Sequence, residues 1–229
     1  MLVHIRQLLP PEQVAKMRQR LDEADWEDGR HTAGHLSARV KNNVQLADGS
    51  PLARQLGAMV LEALERSPQF RSAALPLKIL PPLFNRYSGG QDYGDHIDGA
   101  LRVIPGARVS LRTDLSATLF LSQPEEYDGG ELVMGDDLGE RRIKLAAGDM
   151  VLYPGNTVHR VMPVTRGMRL ACFFWIQSAV RDNEKRALLH ALDGIVQQAA
   201  HHGYKFDALI TAVIDSDPFR KRKGEVATR

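Results

Sequence analysis

The segment that decides the fold is residues 148–176, which reads GDMVLYPGNTVHRVMPVTRGMRLACFFWI. Three short runs rich in β-branched, aromatic and other apolar residues lie in it, each bounded by proline or glycine. The runs are Met150–Tyr153, Val158–Val161 and Arg169–Ile176. Short apolar runs between Pro and Gly signals are typical of β-strands. The segment therefore predicts three strands separated by turns, with Gly167 just before the third.

The same pattern extends upstream to about residue 77. Further strand-like runs alternate with turn signals such as Gly89-Gly90 and Gly129-Gly130. These runs are 77–80, 84–87, 115–121, 131–134 and 143–145. Many short strands with frequent turns favour a β-sandwich or jelly roll over alternating βα units.

Helical patterns flank this region on both sides. Upstream, Pro11 suits a first helical position, and Ser50 followed by Pro51 is a typical helix start. Downstream, Asp182 is an N-cap candidate. The apolar residues with helical spacing are Val14, Met17, Leu21, Leu52, Leu56, Met59, Val60, Ala63, Leu64, Leu188, Leu189, Leu192, Ile195, Val196 and Ala199.

These patterns predict three parts of the chain. An N-terminal helical segment would cover residues 1–77, with a polar, irregular stretch at residues 25–49. The β-rich domain would cover residues 78–178. A C-terminal helical extension would cover residues 179–229.

Composition excludes several classes of protein. The 229 residues are 43% hydrophobic and 25% charged, which is typical of a globular chain and not of a disordered or fibrous one. A net charge of +2 gives no argument for nucleic-acid binding. One cysteine, Cys172, excludes an internal disulfide and a multi-cysteine metal site. We see no secretory signal or membrane-length apolar run, so we expect a cytoplasmic protein.

Candidate metal ligands lie in His96-Ile97-Asp98. In a strand or strand end, a His-x-Asp pair points both side chains to one face. A second histidine from a distant strand, His159, would complete two imidazoles and one carboxylate, the facial triad of non-haem Fe(II) oxygenases. Arg169 heads an apolar strand, where a charge needs a buried partner. Two antiparallel strands joined by a turn would place His159 and Arg169 in one pocket.

At these residues the sequence resembles the iron(II)/2-oxoglutarate-dependent dioxygenases of the prolyl/lysyl-hydroxylase type. It is most similar to the bacterial PKHD-type hydroxylases, some of which are linked to iron uptake. The resemblance covers nearly the whole chain. The motifs that carry it are Phe84-Asn85-Arg86-Tyr87, His96-Ile97-Asp98, Tyr127-Asp128-Gly129-Gly130-Glu131-Leu132, residues 148–154, and residues 159–169 from His159-Arg160-Val161 to Gly167-Met168-Arg169.

The resemblance implies a fold and a reaction. The fold is α+β, with a double-stranded β-helix (jelly roll) core between N-terminal and C-terminal helices. The reaction is hydroxylation of a substrate by O2, with 2-oxoglutarate converted to succinate and carbon dioxide. The implied Fe(2+) ligands are His96, Asp98 and His159, and Arg169 would bind the distal carboxylate of 2-oxoglutarate. L-ascorbate is implied as the reductant that keeps the iron ferrous.

Three further pocket residues follow from the same resemblance. Tyr87 corresponds to a tyrosine that helps hold 2-oxoglutarate, and Ser116 and Trp175 correspond to pocket-lining positions. From the residues alone, Tyr87 suits core packing and cosubstrate contact equally well, whereas Trp175 suits core packing better and Ser116 suits a structural role better. Many prolyl hydroxylases carry lysine at the position of Arg169, so the transfer of a prolyl substrate is weakened while the cosubstrate is unchanged.

Two other functions compete with the dioxygenase. The same barrel could be a non-catalytic module that senses a ligand or metal. It could also be a nucleic-acid demethylase, although the stretch that begins at Arg169 lacks the Arg-x-Asn-x-x-x-x-Arg segment that those enzymes carry after the second histidine. The substrate, a small molecule or a peptide, cannot be read from the sequence. Loop arginines are predicted to be solvated, with binding of an acidic substrate as the alternative: Arg30, Arg39, Arg102, Arg108 and Arg112. Apolar helix faces leave homo-oligomerisation open.

Overall fold

Six α-helices are present in the residues described by the computed structural model, which are 1–103, 110–136 and 139–222. They are α1 (Pro11–Asp22), α2 (Pro51–Arg66), α3 (Pro68–Ala74), α4 (Asn183–His201), α5 (Phe206–Asp215) and α6 (Asp217–Arg222). Ser50 caps α2 by accepting a hydrogen bond from the Ala53 amide, and Asp182 caps α4 through the amides of Glu184 and Lys185. The predicted starts of α1, α2 and α4 are confirmed.

The strands are short, with one exception. They are β1 (Val3–Ile5), β2 (Trp26–Asp28), β3 (Lys41–Asn42), β4 (Val44–Leu46), β5 (Pro76–Ile79), β6 (Leu83–Ser88), β7 (Asp92–His96), β8 (Leu101–Val103), β9 (Ser110–Arg112), β10 (Leu115–Phe120), β11 (Tyr127–Gly129), β12 (Leu132–Asp136), β13 (Gly139–Ile143), β14 (Met150–Pro154), β15 (His159–Val161) and β16 (Val164–Ser178). All but one of the predicted runs appear as strands close to their expected places. The run at 143–145 differs, because β13 ends at Ile143.

Two antiparallel sheets form the β-rich part of the chain. The large sheet has the order β1-β14-β10-β16-β6-β4-β2, with β5 and β11 also paired to β16. The small sheet has the order β13-β12-β15-β7-β3, and β8 and β9 form a separate hairpin. Buried residues of both sheets share one hydrophobic cluster, so the sheets pack face to face. This arrangement matches the predicted jelly-roll core.

The N-terminal third contains more β structure than predicted. The stretch 25–49 was expected to be irregular, yet β2 and β4 extend the large sheet beyond β6, and β3 joins the small sheet. Strands of two or three residues are too short to produce a detectable alternation of apolar and polar residues. Their pairing depends on partners distant in sequence, which satisfy their backbone groups.

Two predictions about the region around Gly167 are wrong. The last strand does not begin after Gly167; it begins at Val164 and continues through this glycine at φ +72°. Strands β15 and β16 are also not paired with each other, because β15 belongs to the small sheet and β16 to the large one. His159 and Arg169 therefore lie on different sheets and not on one hairpin.

Contacts divide the chain into a unit of residues Leu2–Ala179 and a second unit that begins at Val180. The predicted division at residues 77 and 178 stays a prediction. In the second unit α4 packs on α5. The predicted apolar face of α4 is largely exposed there: Leu188, Leu189, Leu192 and Val196 are each 45–53% accessible.

None of the described helices is both long enough and apolar enough to cross a membrane.

Candidate active site

Two histidines lie side by side on the inner face of the small sheet. His96 ends β7 and His159 begins β15, and the two residues are direct partners in the antiparallel register. Directly opposite residues in an antiparallel pair place their side chains on the same face. The centroids of the two imidazole rings are accordingly 4.2 Å apart.

Backbone carbonyls fix the orientation of both rings. Nδ1 of His96 lies 2.8 Å from the carbonyl oxygen of Gly94, and Nδ1 of His159 lies 2.9 Å from that of Thr157. A carbonyl oxygen can only accept, so each Nδ1 carries the proton and each Nε2 carries the lone pair. A hydrogen bond of this kind is typical of metal-binding histidines, because it holds the ring in the tautomer that can coordinate.

Asp98 brings a carboxylate to the same place. Its Oδ2 lies 3.8 Å from Nε2 of His159 and accepts a hydrogen bond of 2.6 Å from Oγ of Ser116. One ligand atom each from His96, Asp98 and His159 lies within 4.8 Å of the others. Ligands at right angles around a small octahedral ion lie about 3 Å apart, so modest side-chain adjustment would bring all three to one ion. The donor set and spacing fit ferrous iron.

The electrostatics of the site favour a neutral imidazole at His96. Burial, and secondarily the neighbouring His159, lower the pKa of His96 to about 4. Near pH 7 this ring is therefore neutral, which is the form that binds a metal.

The outer face of the small sheet carries a separate polar cluster. Arg160 points away from the histidines and forms ion pairs with Asp95 at 3.1 Å and Glu140 at 2.6 Å. Asp95 therefore contacts an arginine on the opposite face and takes no part in the histidine cluster.

Arg169 faces the histidines from the large sheet. It is 1% exposed, and its Nε and Nη2 have no hydrogen-bond partner among the described residues. Its guanidinium carbon lies 5.3 Å from the ring centroid of Tyr87 and 5.2 Å from that of Phe120. A buried guanidinium without an anionic partner is costly, and a carboxylate can accept two parallel hydrogen bonds from it. The arrangement fits the distal carboxylate of a dicarboxylic acid.

The other predicted pocket residues line the same cavity as the triad and Arg169. Tyr87 pairs with Arg169 in the register of β6 and β16, and burial raises its pKa to about 12, so its hydroxyl stays protonated. Ser116 contacts Asp98 directly. Trp175, the register partner of Ser116, forms part of the cavity wall beneath Arg102.

Two further cations, Lys41 and Arg102, line this cavity. Lys41 was not singled out, and Arg102 was expected to be a solvated loop residue. The prediction for Arg102 is wrong, because its guanidinium carbon lies 3.6 Å from the ring centroid of Trp175. The loop arginines as a group could have indicated an anion-binding site, but they do not share one role. Arg30 and Arg112 form ion pairs with Asp28 and Asp114. Arg108 lies outside the described residues.

Comparison with known proteins agrees with this geometry. The sequence model of the 2OG-Fe(II) oxygenase superfamily matches residues 82–177. A PKHD-type hydroxylase of Janthinobacterium sp. (strain Marseille) is 56% identical over 198 residues, which cover 86% of this chain and 88% of the relative. A PKHD-type hydroxylase of Burkholderia ambifaria is 56% identical over 210 residues, covering 91% and 92%.

A solved structure supports the fold independently. The prolyl-4-hydroxylase of Pseudomonas putida aligns with a TM-score of 0.53 and 21% identity, over 77% of this chain and 92% of that chain. From the sequence relatives we conclude that the chain belongs to the PKHD-type hydroxylases and is an Fe(II)- and 2-oxoglutarate-dependent dioxygenase.

Proposed function

We propose that His96, Asp98 and His159 hold the ferrous ion of this dioxygenase and that Arg169 anchors the distal carboxylate of 2-oxoglutarate. The observation that carries the proposal is the burial of Arg169 without an anionic partner, in the same cavity as the three candidate ligands. A dicarboxylate that reached from the metal to Arg169 would supply the missing partner. The proposed reaction is hydroxylation of a C–H bond in a substrate whose identity is open.

When bound, iron and 2-oxoglutarate together supply the oxygen chemistry: one oxygen atom of O2 enters succinate, the other enters the hydroxyl group of the product, and carbon dioxide is released. The chain's own residues prepare the site for this. The carbonyls of Gly94 and Thr157 hold both imidazoles with Nε2 free, and Ser116 holds the carboxylate of Asp98. Pre-positioned ligands avoid reorganisation when the metal binds.

The residues of the cavity wall would make the site selective for 2-oxoglutarate. Arg169 is the binding partner for a carboxylate, and Tyr87 and Phe120 enclose it with aromatic rings. An anion between these rings is shielded from water, which strengthens its interaction with the guanidinium. The phenol of Tyr87, whose pKa burial raises from 10 to about 12, is a hydrogen-bond donor at neutral pH.

The test compares cosubstrate binding with iron binding. We expect Arg169→Ala to raise the dissociation constant of 2-oxoglutarate at least 100-fold under anaerobic conditions, as measured by calorimetry. Iron affinity, measured by equilibrium dialysis, should change less than threefold. Arg166→Ala is the matched control, because Arg166 lies on the same strand but is exposed and paired with Asp128. Equal loss of iron and 2-oxoglutarate would mean that Arg169 has a structural role only.

Catalysis is tested by oxygen-dependent formation of succinate. The parent enzyme should form succinate only when Fe(II), 2-oxoglutarate and O2 are all present. A protein that binds both cofactors yet forms no succinate at any iron loading would favour the ligand-sensing module. We further propose that ascorbate is the reductant that keeps the iron ferrous. Ascorbate should prolong turnover, and less of it should be consumed than succinate is formed.

We also propose that the enzyme acts in the cytoplasm and has a role linked to iron uptake. This proposal rests on the resemblance to PKHD-type hydroxylases, some of which are linked to iron uptake. Growth of a deletion strain under iron limitation, together with cell fractionation of the tagged enzyme, tests both parts. Equal growth of the deletion and parent strains across iron concentrations would contradict the link.

A further inference from the structure

A buried lysine lies in the wall of the active-site cavity. Lys41, on β3, is 6% exposed. Its Nζ donates hydrogen bonds to Oγ1 of Thr32, at 3.0 Å, and to Oε1 of Gln45. The ammonium also lies 5.3 Å from the ring centroid of Tyr93 and 5.7 Å from that of Phe173. The structure gives it neutral partners only.

A second cation lies next to it. Nη1 of Arg102 donates to the carbonyl oxygen of Thr32 at 3.1 Å, so Arg102 and Lys41 bind the same threonine. The guanidinium stacks on Trp175, and its buried Nε has no hydrogen-bond partner among the described residues. No described carboxylate forms an ion pair with either cation. Two adjacent cations that share neutral partners repel each other. An anion bound between them would offset this repulsion.

The net charge of the cavity also favours binding of an additional anion. Among the described lining residues, Asp98 is the only carboxylate, and it is proposed to bind the metal. The same cavity is lined by three cationic side chains, which are Lys41, Arg102 and Arg169. A bound divalent metal ion would add two more positive charges opposite Asp98. With Lys41 protonated, a dianionic cosubstrate leaves a positive surplus of two charges. The proposed partner of Arg169 therefore does not neutralise the other two cations.

Arg102 lies where an outer groove joins the active-site cavity, whereas Lys41 lies inside the cavity. A surface groove shares Thr32, Tyr93, Asp98 and Arg102 with the active-site cavity. From there it extends outward past residues such as Leu36 and Leu101, which are 74% and 64% exposed. Arg102 and Asp98 both line this groove, so a molecule that enters through it contacts Arg102 beside a candidate metal ligand.

We propose that Lys41 and Arg102 form a subsite for the carboxylate of the primary substrate, which is therefore a small carboxylic acid with an apolar body. The aromatic rings of Trp175, Phe173 and Tyr93 would pack against that body. This inference rests on the proposed function, because it places the subsite beside the metal and cosubstrate. Burial and, to a smaller extent, Arg102 lower the pKa of Lys41 to about 7, and a bound carboxylate would stabilise its charged form.

The test uses acids and their neutral amides as probes. The enzyme is loaded anaerobically with Fe(II) and saturating 2-oxoglutarate at pH 6.5, and both loadings are verified first. Calorimetry then measures the dissociation constant of each acid and of its neutral amide. The two pairs are 3-phenylpropionate with 3-phenylpropionamide, and hexanoate with hexanamide. We expect at least one acid to bind tenfold or more tightly than its amide. Lys41→Met and Arg102→Met should each weaken that acid at least fivefold and change its amide less than twofold.

Three controls make the result specific. Lys78→Met removes the same charge from an exposed residue of β5 and should leave the acid preference intact. Arg102→Lys keeps a positive charge at the less buried of the two positions and should retain part of the preference. The dissociation constant of 2-oxoglutarate should stay within twofold in all these variants.

The outcomes separate this inference from the proposed function. If neither acid binds more tightly than its amide, or if the preference survives both methionine variants, the subsite is wrong while the oxygenase site stands. If Lys41→Met or Arg102→Met weakens 2-oxoglutarate as much as Arg169→Ala does, these cations belong to the cosubstrate. If the parent enzyme binds neither iron nor 2-oxoglutarate, the proposed function itself fails, and the inference fails with it.

Discussion

Ser116 donates a hydrogen bond of 2.6 Å to Oδ2 of Asp98, so a residue of the large sheet orients a carboxylate that follows a strand of the small sheet. Asp98 lies beyond the end of β7, where no ladder of backbone hydrogen bonds restrains it. The hydroxyl of Ser116 thus limits the orientations available to a candidate iron ligand.

Ser116→Ala should weaken iron binding without removing it. Loss of a hydrogen-bond partner of a metal ligand typically costs 10- to 100-fold in metal affinity, and we expect a loss of about that size here. Equilibrium dialysis with Fe(II) under anaerobic conditions measures it. Ser110→Ala, at an exposed position of β9, is the control. Unchanged iron affinity in Ser116→Ala would show that Asp98 is held by other contacts.

His159→Ala should abolish tight iron binding. The variant leaves one imidazole and one carboxylate, and two ligands do not hold a divalent ion against water and buffer as three do. Metal content after dialysis, together with succinate formation, measures the effect. A variant that still takes up one Fe(II) as tightly as the parent would overturn the ligand assignment. Arg160→Ala, on the opposite face of the same strand, should keep its iron.

The metal-free protein should lose stability between pH 6.5 and pH 4. In this range the unfolded chain protonates His96, whose ordinary pKa is 6.5, while the folded chain does not, because its pKa is about 4. Stability therefore falls as the pH falls, by up to about 2 kcal/mol from pH 7 to pH 5. Urea unfolding of the parent and of His96→Gln measures the difference. An identical pH dependence in both proteins would contradict the lowered pKa.

Gly167→Ala should destabilise the fold by about 2–4 kcal/mol. Its φ of +72° disfavours any side chain, and an added Cβ would lie 2.0 Å from the carbonyl oxygen of Glu126. Gly135→Ala is the matched control, since a Cβ there meets no atom within 4 Å and φ is not positive. Thermal and urea unfolding compare the two. Similar stabilities would show that β11 can move away from β16 at little cost.

Much of the site could be predicted because its signals are local. His96 and Asp98 lie two residues apart, and His159 follows a Pro-Gly turn in a β-rich region. The order of the sheets could not be read in this way. Strands β15 and β16 are consecutive in the chain, yet they pair with strands far away in sequence, and only those partners decide which sheet each joins.

Lys41 illustrates why the remaining part of the cavity was missed. It lies on a strand of two residues that gives no periodic pattern, and it reaches the site only because β3 pairs with β7 opposite Tyr93. Arg102 resembles the other loop arginines in sequence. It differs from them because no described carboxylate forms an ion pair with it and because its guanidinium stacks on Trp175, which lies more than seventy residues further along the chain.

The two-sheet arrangement has a consequence for cosubstrate choice. The candidate metal ligands lie on or just after strands of the small sheet, whereas Arg169 lies on the large sheet. Under the proposed roles of these residues, the spacing between the sheets would set the length of oxo acid that can bridge them. Core residues such as Met134 and Val164 pack between the sheets and do not line the active-site cavity. Enlarging or shrinking them would shift discrimination between four-, five- and six-carbon oxo acids, and evolution could retune cosubstrate preference from positions outside the binding contacts.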